Sequence, residues 1–152
     1  PEYAKRIPGC TELFRLVVFD GEFPTATVLN GISQESIEET SAYISTTISK
    51  LEEADIKRED AELLKKEIRW VAGMQLFACD LAKELLILNK ERGRKSVKNI
   101  PQTKRVALGR TLTNLIDIYE DNWLARNRSG GFPDSVARLI HLKELLLWDI
   151  PC

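Results

Sequence analysis

The sequence predicts an all-α protein, an antiparallel bundle of about four helices that follows an irregular N-terminal segment. Apolar residues recur at spacings of three and four over four long windows after residue 32, which is the spacing of one helix face. Glycine, proline and asparagine mark short connections between these windows, and short connections make successive helices antiparallel neighbours. We therefore divide the chain into an irregular segment, residues 1–31, and a helical bundle, residues 32–152.

The composition is typical of one globular domain and indicates neither a nucleic-acid nor a membrane partner. The 152 residues can bury a core without disulfides. A net charge of -1 provides no overall basic field, so we expect no nucleic-acid partner. No apolar run is long enough to cross a membrane, so we expect no membrane partner.

The three cysteines indicate a reducing, cytoplasmic environment. Cys10, Cys79 and Cys152 are odd in number and irregularly spaced, which fits neither a disulfide framework nor a zinc ligand set. Cys79 lies in an apolar helical pattern and is interpreted as a small core residue. The chain starts at Pro1 without methionine, which we interpret as the mark of a piece cut from a longer polypeptide.

The first 92 residues contain one ambiguous apolar run and two predicted long helices. The apolar run at residues 13–19 is either a buried strand or a short helix, because its periodicity fits both. The first long helix follows Ser33 as N-cap and ends near Ala54. The second spans residues 58–92 and stops at Gly93. Two adjacent apolar rows make it the central helix of the bundle; their members are Leu64, Ile68, Val71, Ala78, Ala82 and Leu85, then Leu63, Trp70, Met74, Phe77, Leu81 and Leu88.

The last two helices are bounded by prolines and glycines. Pro101 opens the third helix, which ends around Arg128 before Gly130-Gly131. Pro133-Asp134 begins the fourth helix. The predicted inward-facing residues are Leu108, Leu112, Leu115, Ile116, Tyr119 and Trp123 on the third helix, then Val136, Leu139, Ile140, Leu146 and Leu147 on the fourth. Gly73, inside the second helix, is explained by close helix approach or a slight bend.

The sequence contains no recognisable catalytic or metal-binding pattern, so we predict no catalytic residue, no metal and no cofactor. The single histidine, His141, precedes Glu144, the reverse of the Glu-x-x-His order of di-iron bundles. There is no Gly-x-Ser-x-Gly elbow and no phosphate loop. Acidic residues are numerous but are interpreted as solvated ion pairs. The basic residues of the loop after the second helix are interpreted as solvated rather than as a nucleic-acid or phospholipid site: Arg92, Arg94, Lys95 and Lys98.

Two features are candidates for a contact surface. Trp70 and Trp123 lie on apolar rows and are interpreted as core residues rather than sugar-stacking platforms, whereas Trp148 is expected to be exposed or to meet another domain. The turn Arg126-Asn127-Arg128 before the glycine pair has two interpretations. Its arginines either stabilise the negative end of the third helix or bind a partner through bidentate hydrogen bonds.

The same turn carries a family resemblance. The stretch Trp123-Leu124-Ala125-Arg126-Asn127-Arg128-Ser129-Gly130-Gly131-Phe132, with Pro133-Asp134-Ser135 and Ala137-Arg138-Leu139 after it, resembles the helical C-terminal region of bacterial family-20 glycoside hydrolases, the β-N-acetylhexosaminidases. In that family a segment of Trp-Leu, Arg-Asn-Arg, Pro-Gly-Gly, Leu and then Ser recurs. This chain departs from it at Ser129 and Phe132.

The resemblance implies a catalytic (β/α)8 barrel elsewhere, because such enzymes carry an adjacent Asp-Glu pair on a separate barrel. Asp20-Gly21-Glu22 does not match that pair, and four long helices leave no room for eight strand–helix units. No catalytic residue is carried over.

Three hypotheses follow. The first is a non-catalytic C-terminal module that packs on the catalytic barrel of the same polypeptide, or on a second subunit, through Trp148 and the turn at residues 126–128. The second is a free-standing helical protein–protein interaction domain with an apolar groove. An apolar patch near the N-terminal segment favours the first, and a patch away from both termini favours the second. The third is a small enzyme, which requires a polar pocket with two convergent carboxylates.

Overall fold

The fold is all-α, as the sequence predicts. A computed structural model describes residues 11–18, 29, 31–89 and 96–149, and it contains no strand within these ranges. The helices in this part of the chain are α1 (Glu12–Val18), α2 (Gln34–Glu53), α3 (Ala61–Asn89), α4 (Gln102–Arg126) and α5 (Phe132–Leu147). Two short 3-10 helices, Val97–Asn99 and Ser129–Gly131, precede α4 and α5.

The long helices pack in chain order as antiparallel neighbours, with α3 in the centre. α3 contacts α1, α2 and α4, and α5 contacts α4 and α1. Arg126, at the end of α4, reaches Glu67 near the start of α3, so these two helices run in opposite directions. Large side chains of the last three helices are fully buried, among them Phe77, Leu81, Leu85, Leu112, Leu142 and Leu146, and so are Val97 and Ile100 before α4. The predicted central position of the second long helix is confirmed.

Local sequence signals set most helix ends. Ser33 Oγ accepts a hydrogen bond from the Ser36 backbone N at 3.0 Å, and Ser36 Oγ accepts one from the Ser33 N at 3.1 Å. This reciprocal capping box starts α2 where it was predicted. α3 begins three residues later than predicted, and its predicted stop, Gly93, lies outside the described residues. Pro101 immediately precedes α4, and Pro133 lies in the first turn of α5.

The first helix resolves an alternative that periodicity left open. Residues 12–18 are helical, so the strand interpretation of this run was wrong for its described part. Leu16 and Val17 are buried, because α1 packs on both α3 and α5. A part of the predicted irregular segment therefore belongs to the bundle. Cys10 and the Asp20-Gly21-Glu22 triplet lie outside the described residues.

One part of the predicted core is wrong. Ile68 and Val71 were assigned to an apolar row of the central helix, but their exposed fractions are 38% and 48%. The reason is that the helices packed around α3 leave these two side chains partly uncovered. The other row members are buried or half-buried, and so are the predicted inward faces of α4 and α5. Cys79 is fully buried, as expected for a core residue.

Arg105 is a buried cation that the sequence did not signal. Its exposed fraction is 3%. Its Nε donates to the Ile100 carbonyl at 3.0 Å, its Nη1 to the Leu146 carbonyl at 3.0 Å, and its Nη2 to the Asp149 carboxylate at 2.7 Å. Arg105 therefore joins the start of α4 to the end of α5.

Two glycines allow helices to approach closely. A Cβ added at Gly73 would lie 2.9 Å from Leu115 Cδ2, and one added at Gly109 would lie 2.5 Å from Leu147 Cδ2 and 2.8 Å from its Cγ. The close approach suggested for Gly73 is thus present. Gly109 plays the same part between α4 and α5.

We expect Gly109→Ala to lower the free energy of unfolding by about 1 kcal/mol and Gly73→Ala to change it little. At Gly109 an overpacking cost of roughly 1–3 kcal/mol outweighs a helix-propensity gain of about 1 kcal/mol. At Gly73 only the flexible tip of Leu115 has to move. Urea unfolding of both variants measures the difference, and equal effects would contradict this account of the two helix contacts.

Candidate functional site

The candidate site is a groove of about 500 Å³ between α1, α3 and α5, which we call the α1 groove. Its walls are mainly apolar. The side chains from α1 are Leu13, Phe14, Val17 and Val18, and those from α3 are Trp70, Val71, Met74, Gln75 and Ala78. Thr11, Tyr119, Ser135, Arg138 and Leu139 complete the lining. Because α1 packs on both α3 and α5, the groove depends on a helix that the sequence left undecided.

The apolar walls of the α1 groove are open to solvent. Phe14 and Val71 are 49% and 48% exposed, although both belong to apolar patterns that normally face a core. Exposed apolar side chains that line one groove are a candidate interaction surface. The chemistry of these walls suits burial against another apolar surface.

Stacked aromatic rings fix one side of the groove. The Trp70 and Tyr119 rings lie 4.5 Å apart with an interplanar angle of 14°. Trp70 Nε1 donates to the Leu115 carbonyl at 2.8 Å, which holds the indole against α4. Trp123 continues the aromatic contacts at 6.0 Å from Tyr119, edge to face. Both tryptophans are half-buried in the bundle, in agreement with the core interpretation.

Two polar side chains line the groove from α5. Ser135 and Arg138 are exposed and lie one turn apart on this helix, so their side chains share a face. Arg138 is the single charged residue among the described lining residues. Within the described ranges its guanidinium makes no ion pair. Gln75 contributes an amide from α3.

The turn at residues 126–128 is engaged inside the chain. Arg126 binds the Glu67 carboxylate with Nε and Nη2, and Nη2 also lies 3.1 Å from Asp60 Oδ2. Trp123 Nε1 donates to the Arg128 carbonyl at 3.0 Å, and Asn127 Nδ2 donates to the Trp123 carbonyl at 3.3 Å. Arg126 is therefore engaged in ion pairs with the start of α3 and the turn before it, a structural role different from the predicted one at the helix end. The exposed side chain of Arg128 remains a candidate for partner binding.

Asp60 lies between two guanidinium groups, which lower its pKa. The larger cause is the hydrogen bond from Arg58, at 2.9 Å between Nε and Oδ1, and the hydrogen bond from Arg126 comes second. The pKa of Arg126 is raised by its hydrogen bonds to Glu67 and Asp60. This arrangement ties the end of α4 to the turn before α3.

We expect Arg126→Ala to raise the pKa of Asp60 toward its ordinary value of about 3.9, and Arg58→Ala to raise it further. A folded-state pKa below the unfolded one contributes stability that is present above the unfolded pKa and is lost as pH falls through the folded value. Arg126→Ala should therefore flatten the acid limb of the stability profile. Carboxyl NMR titration measures the shift, with Arg128→Ala as the matched control. An unchanged Asp60 titration in Arg126→Ala would contradict the contact.

Trp148 is 58% exposed, as expected, but it does not share a surface with the turn. The Trp148 ring has Lys98 Nζ at 5.6 Å and Arg105 Cζ at 5.8 Å from its centroid. α5 has 16 residues, about 24 Å of helix, and it separates Trp148 from the turn. The two predicted contact features therefore lie at opposite ends of α5, and the α1 groove lies beside the helix between them.

The remaining candidate groups, namely carboxylates, the histidine and the basic loop residues, do not form a common site in the described part of the chain. No carboxylate lines the described part of the α1 groove, so it lacks the convergent pair that an enzyme hypothesis requires. His141 lies on the surface with Nδ1 3.9 Å from Glu144 Oε2. In the portion of the chain described, no cluster of three His, Cys, Asp or Glu could hold a metal ion. Of the four basic loop residues, only Lys98 lies within the described ranges.

The chain matches no protein-family model, no curated protein and no solved structure. None of the helices in residues 11–18, 34–89 and 102–147 combines the length and apolar character needed to cross a bilayer.

Sequence reasoning missed the α1 groove because its walls come from distant parts of the chain. Val71 was assigned to the core, and the apolar run that forms α1 was ambiguous. The apolar excess on α3 was the available signal. Two apolar rows on one helix indicate several neighbouring elements; α1, α2 and α4 contact α3, yet Ile68 and Val71 stay exposed.

Proposed function

We propose that this chain is the non-catalytic C-terminal helical module of a β-N-acetylhexosaminidase, a glycoside hydrolase. It packs on the catalytic (β/α)8 barrel of the same polypeptide or on a second subunit. The observation that supports this most is the open α1 groove. Its α5 side contains Ser135, Arg138 and Leu139, and all three belong to the segment that resembles the enzyme family.

The groove provides a physical reason for docking. Full burial of a large apolar side chain stabilises a protein by roughly 1.5–3 kcal/mol. Phe14 and Val71 are about half exposed, so covering them contributes about 1 kcal/mol each. A neighbouring domain on this surface would thus stabilise itself and the module together.

The position of the groove favours a barrel of the same polypeptide. Thr11 and Phe14 line it, so the groove lies beside the N-terminal segment, where a preceding domain would join a C-terminal module. The second candidate, a free-standing interaction domain, would use the same uncovered walls for a separate protein. A groove far from this segment would have favoured that candidate.

The proposal includes a cytoplasmic location and no cofactor. Cys79 is a free thiol inside the core, and burial raises its pKa. A buried protonated thiol is inert toward disulfide exchange. The proposed reducing compartment rests instead on the odd number and irregular spacing of the three cysteines.

The test compares hydrolysis of an aryl N-acetylglucosaminide by three samples: this chain, the parent enzyme without it, and the two mixed. We expect no turnover by this chain and a longer-lived activity in the mixture. Turnover by this chain alone would overturn the accessory role. A barrel that behaves identically with and without the chain would favour the interaction-domain alternative.

A further inference from the structure

We propose that the α1 groove binds an acidic amphipathic segment, whose apolar side chains cover Phe14 and Val71 while its carboxylate binds Arg138. This inference names the partner chemistry of the docking role proposed above and rests on it. A catalytic domain on the groove would present such a segment on its surface.

The charge of the groove specifies the occupant. Arg138 is the single charged residue among the described lining residues, beside walls that are otherwise apolar. A partner that covers those walls also removes water from the guanidinium. A desolvated charge without a counter-ion costs several kcal/mol, whereas a paired and hydrogen-bonded one is tolerated. The occupant therefore needs a carboxylate opposite Arg138.

Neighbouring polar groups can complete the carboxylate site. Ser135 lies one turn before Arg138 on α5, and Gln75 faces the same groove from α3. A guanidinium binds a carboxylate through two parallel N–H···O bonds, and a hydroxyl or amide N–H can donate to the remaining lone pairs. One arginine on an apolar wall suits a carboxylate rather than a polyanion, which requires several cations.

The size of the groove limits the occupant to a short segment. α1 has seven residues, a length of about 10 Å, which matches about two turns of a partner helix. Apolar side chains three or four residues apart on such a helix would contact Phe14 and Val71. A carboxylate on the same face of that helix would bind Arg138, which lines the same groove.

The test selects a library of displayed 12-residue peptides on this chain and, in parallel, on its Arg138→Glu variant. We expect the original chain to enrich peptides with apolar residues three or four apart and an Asp or Glu. The variant should enrich Lys or Arg at that place. In calorimetric titration, an enriched acidic peptide should bind Arg138→Glu at least about tenfold more weakly.

Matched variants separate the groove from the rest of the surface. Arg110→Glu changes the same charge at an exposed position of α4 outside the groove, and it should leave peptide binding unchanged. Val71→Asp should abolish binding, whereas Ile87→Asp, at a similarly exposed position of α3 (53%) outside the groove, should not. Circular dichroism and thermal unfolding of each variant report whether the helices remain folded.

The outcomes distinguish this inference from the proposed function. Enriched peptides without an acid, peptides that bind Arg138→Glu equally well, or binding that survives Val71→Asp would each overturn the inference. If the chain nevertheless prolongs the activity of the barrel, the proposed function is retained and only the inference about the groove is rejected. If acidic peptides bind the groove but the activity of the barrel is the same with and without the chain, only the hexosaminidase assignment is overturned.

Discussion

Replacing Arg105 with alanine is expected to lower the free energy of unfolding by about 3 kcal/mol. The arginine is almost fully buried and donates to two backbone carbonyls and to the Asp149 carboxylate. Its removal leaves the Ile100 and Leu146 carbonyls without this donor and creates a cavity. Part of the loss is recovered because Asp149 is 31% exposed and can be hydrated.

Urea or guanidinium unfolding measures this loss, with Lys104→Ala as the control. Lys104 is the neighbouring cation and is 62% exposed, so its pair with Glu84 contributes about 0–1 kcal/mol. Arg105→Lys should recover only part of the stability, because one ammonium cannot reproduce the planar fork that reaches three acceptors. Equal losses from Arg105→Ala and Lys104→Ala would contradict the anchoring role.

Replacing Trp70 with alanine is expected to cost about 3 kcal/mol, at the low end for a large aromatic residue because Trp70 is half-buried. The substitution removes the stack on Tyr119, the hydrogen bond to the Leu115 carbonyl and one side of the α1 groove. Trp70→Phe keeps a ring but loses the N–H donor, so it should cost about 1 kcal/mol.

Trp148→Ala is the matched control for Trp70→Ala. Its side chain is mostly exposed and its described contacts are with two cations, so we expect a loss below about 1 kcal/mol. Thermal unfolding followed by circular dichroism compares the three variants without relying on tryptophan fluorescence. A larger loss from Trp148→Ala than from Trp70→Ala would contradict the assignment of core and surface tryptophans.

The parts of the fold that depend on local chemistry could be predicted from the sequence. Ser33 caps α2, and Pro101 and Pro133 mark the starts of α4 and α5, because each acts through its own backbone or the next turn. The inward faces of α4 and α5 followed from the same short-range periodicity. Such signals need no knowledge of the partner helix.

The parts that depend on distant residues could not be predicted. The hydrogen bonds of Arg105 to Leu146 and Asp149 span 41 and 44 positions, and that of Arg126 to Glu67 spans 59. Val71 was wrongly placed in the core because periodicity reports an apolar face and not the element that covers it. The α1 groove could not be predicted for both reasons: its walls come from α1, α3 and α5, which are far apart in the sequence, and periodicity does not report which apolar faces stay uncovered.

The most direct test of the docking proposal is the rate of thermal inactivation of the proposed parent hexosaminidase with Val71→Asp in this module. Ile87→Asp, on the same helix outside the groove, is the control. If the α1 groove packs on the catalytic barrel, a carboxylate at position 71 shortens the half-life of N-acetylglucosaminide hydrolysis while Ile87→Asp leaves it unchanged. Equal half-lives for the two variants and the original enzyme would contradict the account.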